Sequence, residues 1–238
     1  MFKRLKDLFS STNTLYYPGC LTQTVLPEIQ KNYETILNRL GIDFIMLKTD
    51  INCCGSPALN AGYTKDFEDL KEKNINILKQ YSIGKIITNC PACYHILKNR
   101  YNLEVLHMTQ VIAPDIKKLH LKKDNTETIT YHDPCHLGRH SGIFDEPRDI
   151  IRHMGYTIRE LPRNREQSLC CGGGGGVRSN YKDISDKVAE NILKVTKTKR
   201  LVTTCPLCYA HLKENTEGKY AKIEILELSE LITKNMKQ

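Results

Sequence analysis

Apolar positions fall into short β-like runs separated by longer stretches with helical spacing, from one end of the chain to the other. At the start, Phe2, Leu5, Leu8 and Phe9 alternate with Lys3, Arg4 and Lys6. Residues 2–10 therefore have the pattern of a short amphipathic helix, suited to packing on the domain, on a partner, or peripherally on a membrane surface. Residues 14–18 read as a strand that delivers Cys20 at its end. Val25, Leu26, Ile29, Tyr33, Ile36, Leu37 and Leu40 then line one helical face, and Gly41 is the stop. Residues 42–47 predict a second strand, and Phe67, Leu70, Ile77, Leu78 and Tyr81 share the face of another helix. A β-rich run at 85–88 leads into the helical segment CPACYHILK, and residues 105–108 supply a further strand. Strands alternating with helices predict an α/β fold with parallel sheets and its special residues on loops at strand ends.

The polar segment LHLKKDNTET, residues 119–128, reads as a connection, because the pattern starts again after it. Cys135 follows Cys20 by 115 positions, the pair Cys170 and Cys171 follows Cys53 and Cys54 by 117, and Cys205 and Cys208 follow Cys90 and Cys93 by 115. The surroundings repeat too. PGC matches DPC, NILK occurs at 76–79 and again at 191–194, ITNCPACYHILK resembles VTTCPLCYAHLK, and VLHMTQVI at 105–112 recurs as ILELSELI at 225–232. The expectation is two pseudo-symmetric Rossmann-like units related by internal duplication, at residues 1–122 and 123–238.

Composition narrows the chemistry. With 238 residues and 40% hydrophobic content the chain is long enough for one ordinary domain or two small ones. No apolar run reaches the length of a membrane-spanning helix, and the first residues lack the uninterrupted apolar stretch of a secretory signal, so a cytoplasmic location is expected. In such a reducing compartment, ten grouped cysteines point to metal ligation or redox chemistry before structural disulfides. The net charge of +8 is spread along the chain without an aromatic-rich RNA motif or a zinc-finger pattern. That distribution argues against nucleic acid, and leaves docking to an acidic partner as one use of the excess charge.

Each half offers one cysteine, an adjacent pair, and C-x-x-C: Cys20, Cys53, Cys54, Cys90 and Cys93, then Cys135, Cys170, Cys171, Cys205 and Cys208. Adjacent thiols diverge on a strand or helix, so they serve one centre only where the backbone turns sharply. In SLCCGGGGGVRS, residues 168–179, the glycines permit that turn, and their successive N–H groups can donate to thiolate or sulfide. CPAC and CPLC lie between a β-rich run and a helical one, where the helix N-terminus stabilises thiolate and proline suits the first turn. Structural zinc would need four thiolates and leave a fifth unused in each half. A thioredoxin-like dithiol accounts for CPxC but not for the distant C and CC. Iron–sulfur clusters use every cysteine and the glycine loop. The first-half pair is followed by CCGSP without a glycine run, which keeps zinc open there.

This doubled arrangement resembles the cysteine-rich CCG-domain family. The resemblance is carried by PGC at Cys20, NCCG at Cys53 and Cys54, CPAC at Cys90 and Cys93, YHDPCHLGRHSG around Cys135, CCGGGGG at Cys170 and Cys171, and CPLC at Cys205 and Cys208. The family includes the B and D subunits of heterodisulfide reductases, the iron–sulfur subunits of glycolate- and lactate-oxidising complexes, and the C subunit of anaerobic glycerol-3-phosphate dehydrogenase. In members of the heterodisulfide reductase B type, such five-cysteine sets hold noncubane 4Fe-4S clusters, one per half, with the disulfide substrate cleaved between them. The resemblance thus implies two facing 4Fe-4S clusters, held by these ten cysteines, in an iron–sulfur oxidoreductase subunit. It would relay electrons for a flavin-dependent dehydrogenase or reduce a disulfide itself. No ferredoxin-like run of closely spaced cysteines is present. Electrons would be exchanged with another protein, either a flavoprotein dehydrogenase subunit or a ferredoxin-like carrier. The contrasting reading is a zinc-stabilised binding module without redox activity.

No catalytic residue is assigned from the sequence. His132, His136 and His140 flank Cys135 and are candidates for a proton donor, against the simpler reading of hydrogen-bonded structural histidines. His95 and His211 follow the C-x-x-C pairs but fall one position out of register in the repeat, which argues against a shared ligand role. Arg139 and Arg178 are candidates for holding an anionic substrate or negative clusters, against solvent exposure.

Overall fold

The computed structural model describes residues 12–47 and 53–237. The amphipathic pattern at 2–10 lies outside the described residues. Strand β1 (Asn13–Tyr16) is followed by helices α1 (Cys20–Val25), α2 (Pro27–Leu40), α3 (Ser56–Asn60) and α4 (Thr64–Gln80). Then come β2 (Ile83–Thr88), α5 (Pro91–Asn99), β3 (Val105–His107) and α6 (Met108–Asp115). The second half runs β4 (Thr128–His132), α7 (Asp145–His153), β5 (Thr157–Glu160), α8 (Val177–Asn180) and α9 (Lys182–Val195), then β6 (Arg200–Thr203), α10 (Pro206–Glu214), β7 (Glu224–Glu227) and α11 (Leu228–Asn235).

Both sheets are parallel, with orders β1-β2-β3 and β5-β4-β6-β7. The expected strand at 42–47 is reduced to a single parallel bridge, Ile45 with Leu15, at the position that β5 fills in the second sheet. Two backbone hydrogen bonds fix it, Tyr16 N to Ile45 O and Ile45 N to Thr14 O, and Phe44 stands edge-on to Tyr16. One pair of backbone hydrogen bonds and that ring contact hold the stretch in place of a full ladder.

The helices begin where local chemistry starts them. Cys90 and Cys205 are the N-caps of α5 and α10, each followed by proline in the first turn. His107 and Glu227 are equivalent N-caps of α6 and α11, each closing a capping box with Gln110 or Glu230. Across the molecule, α2 packs on α11 and α6 on α7, so the first crossover helix of each half meets the last helix of the other. One apolar core consequently holds Ile29, Tyr33, Ile36 and Leu37 of the first half together with Leu193, Leu201, Leu231 and Ile232 of the second. Such exchange places the carboxyl ends of the two sheets around a common cleft. Among the described residues no helix is long and apolar enough to cross a membrane.

Candidate metal centre

All ten cysteines line one cleft of about 850 Å³. None is in a disulfide. Each C-x-x-C pair enters from the start of a helix that follows a buried strand end, with Cys90 and Cys205 in extended conformation and Cys93 and Cys208 in the next turn. Cys20 opens α1 directly after β1, whereas Cys135 lies in a turn after β4.

The adjacent pairs depend on the glycine that follows them. Gly55 and Gly172 have φ of 84° and 88°, a region that side chains with a Cβ rarely adopt. A Cβ on Gly55 would come within 2.6 Å of Phe67, and one on Gly172 within 2.8 Å of the Ser185 carbonyl. In that turn the Gly55 amide donates to Cys53 Sγ and the Gly172 amide to Cys170 Sγ, both at 3.4 Å. The sharp turn expected of the glycine run after Cys170 and Cys171 is present, with one amide rather than a series aimed at sulfur, and Gly55 makes the same contact at the first pair, which has no glycine run. Gly173 to Gly176 continue as one wall of the cleft.

Within each half the sulfurs form a string of neighbours in the same order, each perturbing the ionisation of the next. Cys53 perturbs Cys20, Cys20 and Cys54 perturb Cys53, Cys53 and Cys93 perturb Cys54, and Cys54 and Cys90 perturb Cys93. In the second half Cys135 Sγ lies 3.9 Å from Cys170 Sγ, Cys135 and Cys171 perturb Cys170, Cys170 and Cys208 perturb Cys171, and Cys171 and Cys205 perturb Cys208. The strings polarise their members. Hydrogen bonds from Cys53 and Cys93 lower the Cys54 thiol to about 5, and hydrogen bonds from Cys135 and Cys171 lower Cys170 to about 2. Cys20 and Cys135 are pushed well up by their neighbours Cys53 and Cys170 and by burial.

This donor set fits an iron–sulfur group. Among the described residues no three or more His, Cys, Asp or Glu side chains converge to hold a single ion. Five soft sulfur donors from each half line the cleft instead, which matches the spread-out ligation of a polynuclear cluster.

The remaining candidates separate into distinct roles. His136 lines the cleft with Nδ1 3.4 Å from Cys135 Sγ. His95, discounted because it is out of register in the repeat, joins it across the halves: ring centroids are 5.8 Å apart, with His140 5.7 Å from His95 and 5.0 Å from His136. That grouping crosses the repeat, so internal register could not reveal it. His132 departs from the reading as a hydrogen-bonded histidine, since it is fully buried with neither ring nitrogen partnered. His211 is buried behind Gly173 and bonds Ser185 Oγ at 3.0 Å. Arg139 donates to the carbonyls of Ser168 and Glu166, which steadies the approach to Cys170, and Arg178 pairs with Glu214.

One supporting residue had no sequence signal beyond its position on a helix face. Arg148, fully buried, makes paired hydrogen bonds to Asp133 at 2.7 and 2.8 Å and to Glu160 at 2.7 and 2.8 Å. Burial opposes its charge, but the two carboxylates more than offset that and hold the guanidinium more basic than usual. Asp133 also accepts the Arg165 amide, and its own carbonyl takes the Ser168 hydroxyl. The arrangement ties the segment before Cys135 to the segment before Cys170.

The cysteine-rich domain (CCG) pattern matches twice, over residues 14–98 and 129–213. The chain belongs to that family. It is 33% identical over 237 residues to the D subunit of the dihydromethanophenazine:CoB--CoM heterodisulfide reductase of Methanosarcina acetivorans, covering 92% of this chain and 58% of that protein. It is 34% identical over 230 residues to the B subunit of the fumarate reductase (CoM/CoB) of Methanothermobacter marburgensis, covering 91% and 45%. It is 32% identical over 244 residues to EtfAB:quinone oxidoreductase of Syntrophomonas wolfei, covering 93% and 34%. These relatives are oxidoreductases or subunits of them, and the chain spans from about a third to somewhat over half of their lengths.

Proposed function

We propose that this CCG-family chain is the iron–sulfur component of an oxidoreductase, relaying electrons through two 4Fe-4S clusters. Cys20, Cys53, Cys54, Cys90 and Cys93 would hold one, and Cys135, Cys170, Cys171, Cys205 and Cys208 the other. The observation that carries the reading is that all ten cysteines, five from each half, line a single cleft. Clusters bound there would supply one-electron transfer. The chain's own contribution is to gather sulfurs from distant loops, lower selected thiols by hydrogen bonding, and set both groups against one shared space. Relatives named as reductase and quinone oxidoreductase components support a partner in a complex. A flavoprotein subunit or a ferredoxin-like carrier fits that place, and a cytoplasmic location fits ten unpaired thiols.

The cleft favours a second reading, in which the chain itself reduces a disulfide. Its volume of about 850 Å³ lies within the range of about 300–1,000 Å³ usual for small-molecule sites. Its walls include Leu21, Pro57, Ala92 and Leu207, and its polar positions are mainly cysteines.

Protein purified without oxygen should contain iron and acid-labile sulfide, with paramagnetic signals on reduction or oxidation. Zinc without sulfide would replace this reading with a zinc-stabilised binding module, and zinc confined to the Cys53 and Cys54 half would restrict it to the second half. Disulfide turnover by the reconstituted chain with an artificial reductant would favour the second reading. Inactivity together with electron exchange with a co-purifying flavoprotein would favour relay.

A further inference from the structure

His132 is the last residue of β4, three positions before Cys135, and is fully buried. Neither of its ring nitrogens has a hydrogen-bond partner. A neutral imidazole carries one donor and one acceptor, and burying both unmet is costly enough that native structures rarely tolerate it. Its register partner on the neighbouring parallel strand is Thr203, two positions before Cys205, and the Thr203 hydroxyl is buried and unpartnered as well. The unmet polar atoms thus gather at the sheet end that carries the second cysteine set. The equivalent position in the first half is Tyr17, three before Cys20 and likewise buried. Each set therefore has one large polar side chain behind it, a phenol in the first and an imidazole in the second.

Resting on the proposed iron–sulfur reading, we infer that His132 is a positioning residue of the C-terminal centre. Its imidazole N–H donates a hydrogen bond to a sulfide of the cluster bound there. His132 is not a ligand to iron. The unmet donor explains why a histidine stands where the sheet could have accommodated an apolar residue. A donor aimed at cluster sulfur stabilises the more negative, reduced state and so raises the reduction potential. The first half has a phenol instead, which makes the two centres inequivalent.

The test uses the whole chain purified without oxygen and loaded with iron and sulfide. Absence of both iron and sulfide from the parent protein would overturn the iron–sulfur reading and this inference with it. In loaded protein, potentiometric titration followed by electron paramagnetic resonance should show a lower midpoint for the C-terminal centre in His132→Phe. The N-terminal centre should be unmoved, and His132→Gln, which keeps an N–H donor, should recover part of the shift. An unchanged midpoint in loaded His132→Phe overturns the inference alone, even if thermal stability falls. Should that variant fail to load, parent protein labelled with 15N-histidine decides the matter by pulsed resonance. A weak nitrogen coupling that survives His136→Gln is expected. No coupling, or the large coupling of a directly bound imidazole, overturns it.

Discussion

The Gly172 amide donates to Cys170 Sγ at 3.4 Å, and it can do so only because Gly172 holds a φ of 88°. Gly55 repeats the device on Cys53. The pair followed by glycine is thus a backbone device for turning two neighbouring thiols onto one centre.

Gly172→Ala should therefore break the C-terminal loop. The left-handed backbone costs an alanine about 1–2 kcal/mol, and its Cβ would meet the Ser185 carbonyl at 2.8 Å, where backbone cannot yield easily. The expected outcome is a lower melting temperature and loss of the C-terminal signal, with the N-terminal one retained. Thermal melts and quantitative resonance on the same preparation check both.

Cys171→Ser should remove or alter the C-terminal centre and spare the first, because the two sulfur strings share no member. Cys54→Ser should do the reverse. Iron content and spectra of the two variants, compared side by side, test the assignment of five cysteines to each half. Unchanged spectra in both would refute it.

Arg148→Met should destabilise the fold by about 3–5 kcal/mol, since it leaves Asp133 and part of Glu160 as uncompensated buried charge. Arg148→Lys should recover only a fraction, because an ammonium cannot form two paired contacts at once. Denaturant unfolding of the three proteins gives the comparison. Little change in Arg148→Met would mean that the network does not bear on stability.

Glu227 predicts a pH dependence. Burial raises its carboxyl to about 7, although Ser229 and Tyr33 donate to it. The folded value lies above the 4.5 of an ordinary glutamate. Its contribution to stability is therefore fully present below about pH 4.5 and is lost as pH rises through about 7. The loss is on the order of 3 kcal/mol at most. Glu227→Gln should flatten that segment of the curve. Urea unfolding of parent and variant between about pH 5 and 8 would show it, and parallel curves would contradict it.

The two-fold repetition, the alternation of strand and helix, and the ten cysteines that line the cleft were legible in order along the chain, because local spacing and residue type fix them. Strand ends, the proline-led helices after Cys90 and Cys205, and the turn demanded by CCG are all local consequences of sequence. What tertiary structure alone decided is how the halves meet. The pairing of α2 with α11 and α6 with α7 brings His95 to His136, Tyr33 to Glu227 at 2.6 Å, and both sulfur strings to one cleft. Arg148 and His132 belong to that second class, since a charge or imidazole on an apolar face reveals its partners, or its lack of them, only once the surrounding strands are packed. Periodicity reports which way a side chain faces; what it faces depends on contacts between residues far apart in the chain.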